Sequence, residues 1–335
     1  MPLKGEQQRH IAMLATVGSR LSRVFRKRRR TEGLRAAVAI SGREVAVALV
    51  RKLDGQRPKV LRIVVEEAPL GFADPVLKKI ISEFDLRRVP VSAVINPADY
   101  QIAQVQAPEV PRAELRAAAR YSMRDAFDFP IETATLDVFE LPEQNSHGNK
   151  KMCFAVASRG DAIEKMSNEF ERHFRKFDVI DIPELCQRNL AALLPQDAKG
   201  VAFLMLRDDF AQLVLTRRGM LYVTRRFEYR ERGVNDNSEY ESNELPLDPQ
   251  VLSLELQRSL DYYESHFDET AINELYIAPA GTRANLLAAE LGASTGLRIS
   301  MYNIHDLIDV SFSAEIPDGW LGCMAIGAAL RQRKG

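Results

Sequence analysis

"GVAFLMLRDDFAQLVLTRRGMLYVTRRF", residues 200–227, holds three short apolar runs separated by the turns "RDD" and "RRG". Runs of this length bounded by turn residues predict strands, and connections this short predict antiparallel hairpins. The chain has made the same start once before. "AVAISGREVAVALV" (37–50) gives two strands around the turn "SGRE", and "KVLRIVVEEA" (59–68) gives a third. In the first half a helix from Asp74 to Phe84 and the strand "VSAVI" (91–95) follow. The segment around 97–142 then inserts a strand and the helix "RAELRAAARYSMRDAF" (112–127) before "KMCFAVAS" (151–158) returns to strand. Ile163, Met166, Phe170 and Phe174 mark the next helix; a short strand near Val179 and a helix through Leu194 close this half. In the second half Asp248 is a good N-cap with Pro249 at the first helical position, and Leu252, Leu256, Leu260, Tyr263 and Phe267 supply a buried stripe. "ELYIAPA" (274–280), "TRANLLAAEL" (282–291), "LRISMY" (297–302) and the run from Trp320 to Leu330 read as strand, helix, strand and helix. Three strands followed by helix, strand, helix therefore occur twice.

A chain of 335 residues that is 46% hydrophobic can bury one or two sizeable cores, which suits two related halves. The division expected is a tail over 1–33, a first half over 34–197 carrying an insert at about 97–142, and a second half over 198–335. The longest uncharged apolar run, "GWLGCMAIGAAL" (319–330), is too short to cross a bilayer as a helix, and no apolar segment with a small-residue cleavage site points to export. Cys153, Cys186 and Cys323 are widely separated, with no CxxC pair and no histidine at metal-ligand spacing, so buried thiols of a reducing compartment are expected. His147, His173 and His305 have no serine or cysteine partner in a recognisable motif and read as surface or core histidines. "EYRERGVNDNSEYESNELPLD" (228–248) reads as a long polar loop.

Lys/Arg and Asp/Glu total 46 each, but not evenly along the chain. Residues 1–35 hold ten basic residues against Glu6 and Glu32, a net +8, which leaves −8 on the rest. Within this tail Leu14, Val17, Leu21 and Val24 recur at spacings of three, four and three, with Phe25 alongside, the apolar stripe of a helix lying on a surface. The cluster Arg26, Lys27, Arg28, Arg29 and Arg30 follows it. Such a segment suits an anionic membrane surface or a partner groove; the alternative is a solvated tail.

The duplication predicts an α/β chain with two mixed sheets flanked by helices around a central cleft, the architecture of the actin and Hsp70 superfamily. More specifically, the chain resembles the PilM and MshI group of actin-like proteins that help assemble type IV and MSHA-type pili. The resemblance is carried by "YQIAQVQAPEVPRAELRAAARYSMRDAFDFPIETATLDVFELP" (100–142), "LELQRSLDYYESHFDETAINELYIAPAG" (254–281) and "AIGAALR" (325–331), in order, from about Leu34 onward.

In that superfamily the first hairpin turn of each half grips nucleotide phosphates, with an aspartate at the end of the strand to organise Mg²⁺ and a glycine to admit the phosphate. This sequence departs from the pattern. Gly42 is present and Arg43 follows it, but the acid's place falls at Ile40 and Ser41, and no Asp or Glu occurs between Leu34 and Glu44. In the second hairpin the acids Asp208 and Asp209 sit in the turn with no glycine beside them, and the paired glycines expected near the adenosine are reduced to Gly281 in "APAG". Gly42 is thus read first as a turn residue, and Ser41, Gly42, Arg43, Asp208, Asp209 and Gly281 as a degenerate nucleotide site.

The resemblance implies a cytoplasmic adaptor without ATPase activity, peripheral to the inner membrane and joined to a pilus assembly platform. Its implied partner is a PilN-like bitopic membrane protein whose short cytoplasmic N-terminal peptide lies in a groove, with the helix at 249–267 as a candidate groove wall. Other platform proteins, the anionic membrane face and a second copy of the chain are further expected contacts. No metal, cofactor or catalytic residue is expected. An ATPase or kinase using the cleft with ATP and Mg²⁺ is the enzyme alternative, and it needs acids that these turns lack. A type II secretion cytoplasmic domain is a close alternative, one that continues into a membrane span. A nucleic-acid binder using "FRKRRR" suits the acidic body and the apolar stripe less well than a membrane does.

Overall fold

The computed structural model describes residues 32–69, 74–111, 113–122, 126–142, 151–207, 210–228, 248–311, 314–317 and 319–331. The predicted tail residues Leu14 to Arg30, Asp208 and Asp209, His147 and most of the loop after Glu228 lie outside them.

The first half runs β1 (Leu34–Ser41), β2 (Glu44–Arg51), β3 (Lys59–Glu67), α1 (Asp74–Glu83) and β4 (Val91–Val94). It continues through β5 (Tyr100–Gln106), α2 (Leu115–Ser122), β6 (Ala134–Glu140), β7 (Met152–Arg159), α3 (Gly160–His173), β8 (Phe177–Asp181) and α4 (Pro183–Ala191). The second half runs β9 (Val201–Leu206), β10 (Phe210–Arg217), β11 (Met220–Glu228), α5 (Pro249–His266), β12 (Glu274–Ala278), α6 (Thr282–Thr295), β13 (Arg298–Met301), β14 (Asp309–Val310) and α7 (Trp320–Ala329).

The first sheet has the order β14-β3-β2-β1-β4-β8 and the second β11-β10-β9-β12-β13. Leaving β14 aside, the two orders are the same. In each, the first three strands of the half pair antiparallel and the next two add in parallel. The predicted duplication is present, and the fold is the α/β pair of mixed sheets that the repeated pattern implied. β1 shows why its sequence is apolar at nearly every position. Ala36 and Val38 face the core shared with α1 and α3, while Ala37 and Ala39 face the core shared with the second half. A strand covered on both faces has no solvent side on which to place polar residues.

The pairing adds to the two expected boundaries. β7 is the middle strand of a separate sheet of order β5-β7-β6. Tyr100 to Gln106 pair with Ser158 to Met152, and Ala134 to Glu140 with Arg159 to Cys153. The inserted unit therefore extends to Arg159, because β5 and β6 are both paired through β7. The second concerns the elements after β13. β14 pairs with β3 of the first sheet, and α7 packs on β1, β2 and β4. A cut at 198 separates the two sheets but not the elements that cover them.

α4 makes the reverse crossing. Gln187 donates from Nε2 to the carbonyls of Phe203 (2.7 Å) and Gln212 (3.1 Å) in the second sheet. α4 and α7 meet between the sheets, and Asn189 Nδ2 donates to the carbonyl of Gly327 at 2.9 Å. A Cβ on Gly327 would stand 2.4 Å from the Cys186 carbonyl oxygen. The helices touch backbone to backbone at this point, which only glycine permits. One continuous core spans both halves as a result, including Ala37, Ala46, Cys186, Leu204, Leu213 and Ile326.

All three cysteines are free and buried. Burial raises the Cys153 thiol to about 11 and holds Cys186 well above the ordinary thiol range. Among the described residues no helix is long and apolar enough to cross a membrane.

Candidate functional site

Strand alternation gives the first hairpin turn two chemically different sides. Ser41 continues the row of Ala37 and Ala39 toward the second half, whereas Ile40 continues the row of Ala36 and Val38 toward α1 and α3. Ser41 pairs with Glu44 across a two-residue loop of Gly42 and Arg43, and Gly42 takes φ +57°, a conformation glycine enters without steric cost.

The cleft side of the turn is bridged. Arg207, directly after β9, donates from Nη2 to Ser41 Oγ at 2.9 Å. Its guanidinium carbon lies 4.9 Å from the centre of the Trp320 ring and 5.2 Å from that of Phe210. A second guanidinium, Arg226, lies 4.0 Å from the Phe210 ring, pairs with Glu228 at 2.6 Å and donates to the carbonyl of Pro97 at 3.3 Å. Cation–π contacts in partly desolvated settings are worth about 1–2 kcal/mol each. The chain thus links β9, β10, β11, α7, the first turn and the start of the insert through cations stacked on aromatic rings. Below them Tyr100 donates to the buried carboxylate of Glu184 at 2.5 Å, and burial raises both groups above their ordinary pKa ranges.

On the other side of the turn lies a cavity of about 500 Å³. Ile40, Gly42, Arg43 and Val45 come from the first hairpin, Ala68 and Pro69 follow β3, Asn96 and Asp99 precede β5, and Arg159 to Phe170 bring the start and one face of α3. Ile40, Val45, Ala162, Met166 and Phe170 make the apolar lining, while Arg43, Arg159 and Lys165 face Asp99, Asp161 and Glu169 among the charged residues. Three cations against three acids leave the charge of the lining balanced.

The walls are fixed by local contacts. Ser158 Oγ donates to the Asp99 carbonyl at 2.6 Å, and a Cβ on Gly160 would stand 2.5 Å from the Thr133 carbonyl oxygen, so α3 begins hard against the insert. At its other end α3 is tied to α1 by His173 Nε2 and Asp74 Oδ1 at 2.6 Å. That hydrogen bond is the main cause holding the Asp74 carboxyl below its usual range.

Of the predicted nucleotide-site residues, Ser41 meets an arginine, and Gly42 and Arg43 line the groove. Gly281 is the N-cap of α6, its carbonyl accepting from Asn285 N at 3.0 Å. Sequence reasoning missed Arg207, because the search was for acids around the second turn. The helix at 249–267, expected as a groove wall, stands apart from this cavity. α5 buries Leu252, Leu256 and Tyr263 in the core of the second half and contributes nothing to the lining of this cavity.

The repeated sheet order, the crossing of α4 and α7 and the cleft between hairpin turns define an actin-like ATPase fold. No family model and no curated protein matches the chain. Among solved structures it is similar to the PilM-PilN type IV pilus biogenesis complex, with a TM-score of 0.62 and 19% identity over 88% of this chain and 97% of that one. It also aligns with the cytoplasmic domain of EpsL, an inner-membrane component of the type II secretion system of Vibrio cholerae (TM-score 0.47, 11% identity, 90% and 96% covered). A Bacteroides thetaiotaomicron protein with an actin-like ATPase fold aligns at a TM-score of 0.46 and 10% identity, over 84% and 94%. At these identities the likeness is one of fold, and it rests on the first of the three.

Proposed function

We propose that this chain is a non-catalytic adaptor of actin-like fold that holds a short peptide of a membrane protein in the groove between the first hairpin turn, α3 and the insert. The observation that carries the reading is the pairing of a bridged cleft with an open groove on opposite sides of one turn. Mg²⁺ wants carboxylate oxygens, and among the described residues the cleft side of this turn offers the Ser41 hydroxyl and the Arg207 guanidinium. These residues do not suit a Mg²⁺-bound nucleotide, and no catalytic step is assigned to them. Among the described residues no cluster of three or more His, Cys, Asp or Glu could hold a metal ion.

The fold likeness to PilM in its complex with PilN supports a PilN-like partner that offers a cytoplasmic N-terminal peptide to the groove, within a type IV or MSHA-type pilus platform. The chain would then work at the cytoplasmic face of the inner membrane, held there by its partner and by the basic tail, with other platform proteins or a second copy as neighbours. Thermal unfolding tests the reading. The partner's cytoplasmic N-terminal peptide should raise Tm with concentration, because it binds only the folded chain, by about 2.7 kcal/mol at a hundredfold excess over Kd. Millimolar MgATP should leave Tm unchanged and should not be hydrolysed above a blank. A MgATP-dependent rise that Ser41→Ala removes would replace the adaptor by a nucleotide-binding protein, and no shift with saturating peptide would remove the partner.

A further inference from the structure

The edges of the three sheets are β14 and β8, β11 and β13, and β5 and β6. An edge strand offers unpaired N–H and C=O groups to any other chain, and proteins blunt it with charge, brevity or a cover. Every edge strand but β5 carries charge: Asp309 in β14, Asp178 in β8, Arg226 in β11, Arg298 in β13 and Asp137 in β6. β6 is also tied down, since Arg120 Nη2 donates to the Ala134 carbonyl at 3.0 Å. The residues of β5, YQIAQVQ, hold no charge at all. One bond shows which of its groups point outward. Ala107 N donates to the carbonyl of Lys151, directly opposite it, at 2.7 Å, and such bonded pairs alternate along an antiparallel ladder. Gln101, Ala103 and Val105 therefore bond to β7, while the amides and carbonyls of Ile102, Gln104 and Gln106 point away from it. Among the described residues no other strand pairs with this side of β5. Each face of the strand is partly covered, leaving the edge between them. Ile102 packs on the main core and Gln104 Nε2 donates to the Tyr262 hydroxyl of α5, while Ala103 and Val105 pack in the core that includes Ala119 of α2.

We infer that β5 pairs antiparallel with β5 of a second copy of this chain, joining the two inserted sheets into one. In a two-fold pair the middle of a strand meets itself, so a charge there would face its own sign. The middle residue of β5 is Ala103. It falls at a position where the Cα atoms of opposed residues come within about 4.5 Å, which suits a small side chain. Ile102 and Gln104 then exchange backbone hydrogen bonds across the axis. The nearest charges along the chain, Asp99 and Glu109, fall opposite the second copy's Ala107 and Pro97, so the acids do not meet. Asp128 is held by Gln101, whose Nε2 donates to its Oδ2 at 2.7 Å, and Tyr262 has Asp261 beside it in sequence and Arg225 near it in space, one charge of each sign. A second copy supplies a neutral strand of the same length in matching register, which makes it the occupant chosen over a foreign strand. The inference does not depend on what the groove holds.

The test is sedimentation velocity of the full chain over a concentration series. A single edge pair is a small contact, so a monomer–dimer equilibrium with a Kd on the order of 10–100 μM is expected. Ala103→Lys and Ala103→Glu each place like charges at the axis and should weaken association at least about fivefold, whereas an equimolar mixture of the two should associate as well as the unchanged chain. Gln106→Pro removes an amide proton that points away from β7, so it should weaken association while leaving the ladder within the chain intact. Thr135→Lys, at an exposed position of β6, is the control for net charge and should behave as the unchanged chain does. Unchanged Tm keeps folding out of the comparison, and Gln106→Pro carries the test if the Ala103 variants do not fold. A chain that stays monomeric throughout overturns the inference, as does association that Gln106→Pro and the Ala103 variants leave intact. Failure of the mixture to associate overturns the pairing about Ala103. A monomer whose Ile102 and Gln104 amides are protected from hydrogen exchange only by the membrane partner's peptide would assign the edge to that peptide and overturn the second copy.

Discussion

Gly327→Ala is expected to destabilise the chain by about 3 kcal/mol, at the upper end for over-packing a close-packed site. The added methyl would sit 2.4 Å from the Cys186 carbonyl oxygen, 2.8 Å from its carbon and 3.1 Å from its Cα. All three atoms are backbone, so no side chain can swing away, and α4 must move off α7. Gly322→Ala in the same helix is the control. Its Cβ would be 3.4 Å from the Pro317 carbonyl oxygen and 3.8 Å from an Ile63 methyl, ordinary contacts, so the better helix propensity of alanine should leave it neutral or stabilised by up to about 1 kcal/mol. Guanidinium unfolding of the two variants measures the difference. Equal stability would mean that the two helices do not meet backbone to backbone.

Arg331→Ala should be comparably costly for an electrostatic reason. Arg331 Nη1 lies 2.9 Å from Asp181 Oδ2, and the Asp181 side chain is 1% exposed. Removing Arg331 leaves the buried Asp181 carboxylate without its direct partner, with only the nearby Arg188 to offset its charge, at a cost of about 3 kcal/mol. Asp181 closes β8 just before α4, so the loss falls on the same crossing as Gly327. The second variant that makes this falsifiable is Arg331→Ala with Asp181→Asn, in which no orphan charge remains and much of the stability should return. If the double variant is as unstable as the single one, the cost lies in lost packing of the arginine stem.

The repeat was legible because strands buried on both faces write themselves as continuous apolar runs between turns, and β1, β2, β9 and β10 all have that form. The partner of a strand is not written in its periodicity, so the residues of β7 specify that it is a strand but not that it pairs with β5 and β6. α7 carried a clue of another kind. "WLGCMAIGAA" is apolar all round, and a helix with no polar face has to be covered on every side, here by the first sheet and α4. The groove was half legible. Met166 and Phe170 stood in the predicted stripe of α3, but a stripe shows which residues turn inward and not whether space is left beside them. α5 was legible in the same way, its stripe of Leu252, Leu256 and Tyr263 turned into the core. At the cleft, the missing acid was readable at Ser41, while the arginine that meets it had no motif to announce it.

The central claim is that a partner's peptide lies on the α3 side of the first turn, and photo-crosslinking tests it most directly. The partner's cytoplasmic N-terminal peptide, carrying a benzophenone, is bound to the full chain, irradiated and mapped by mass spectrometry. Adducts on Ala162, Met166 or Arg43, residues of the groove, are the result expected. Adducts confined to α5, or to Arg207 and Trp320 in the cleft, would contradict it.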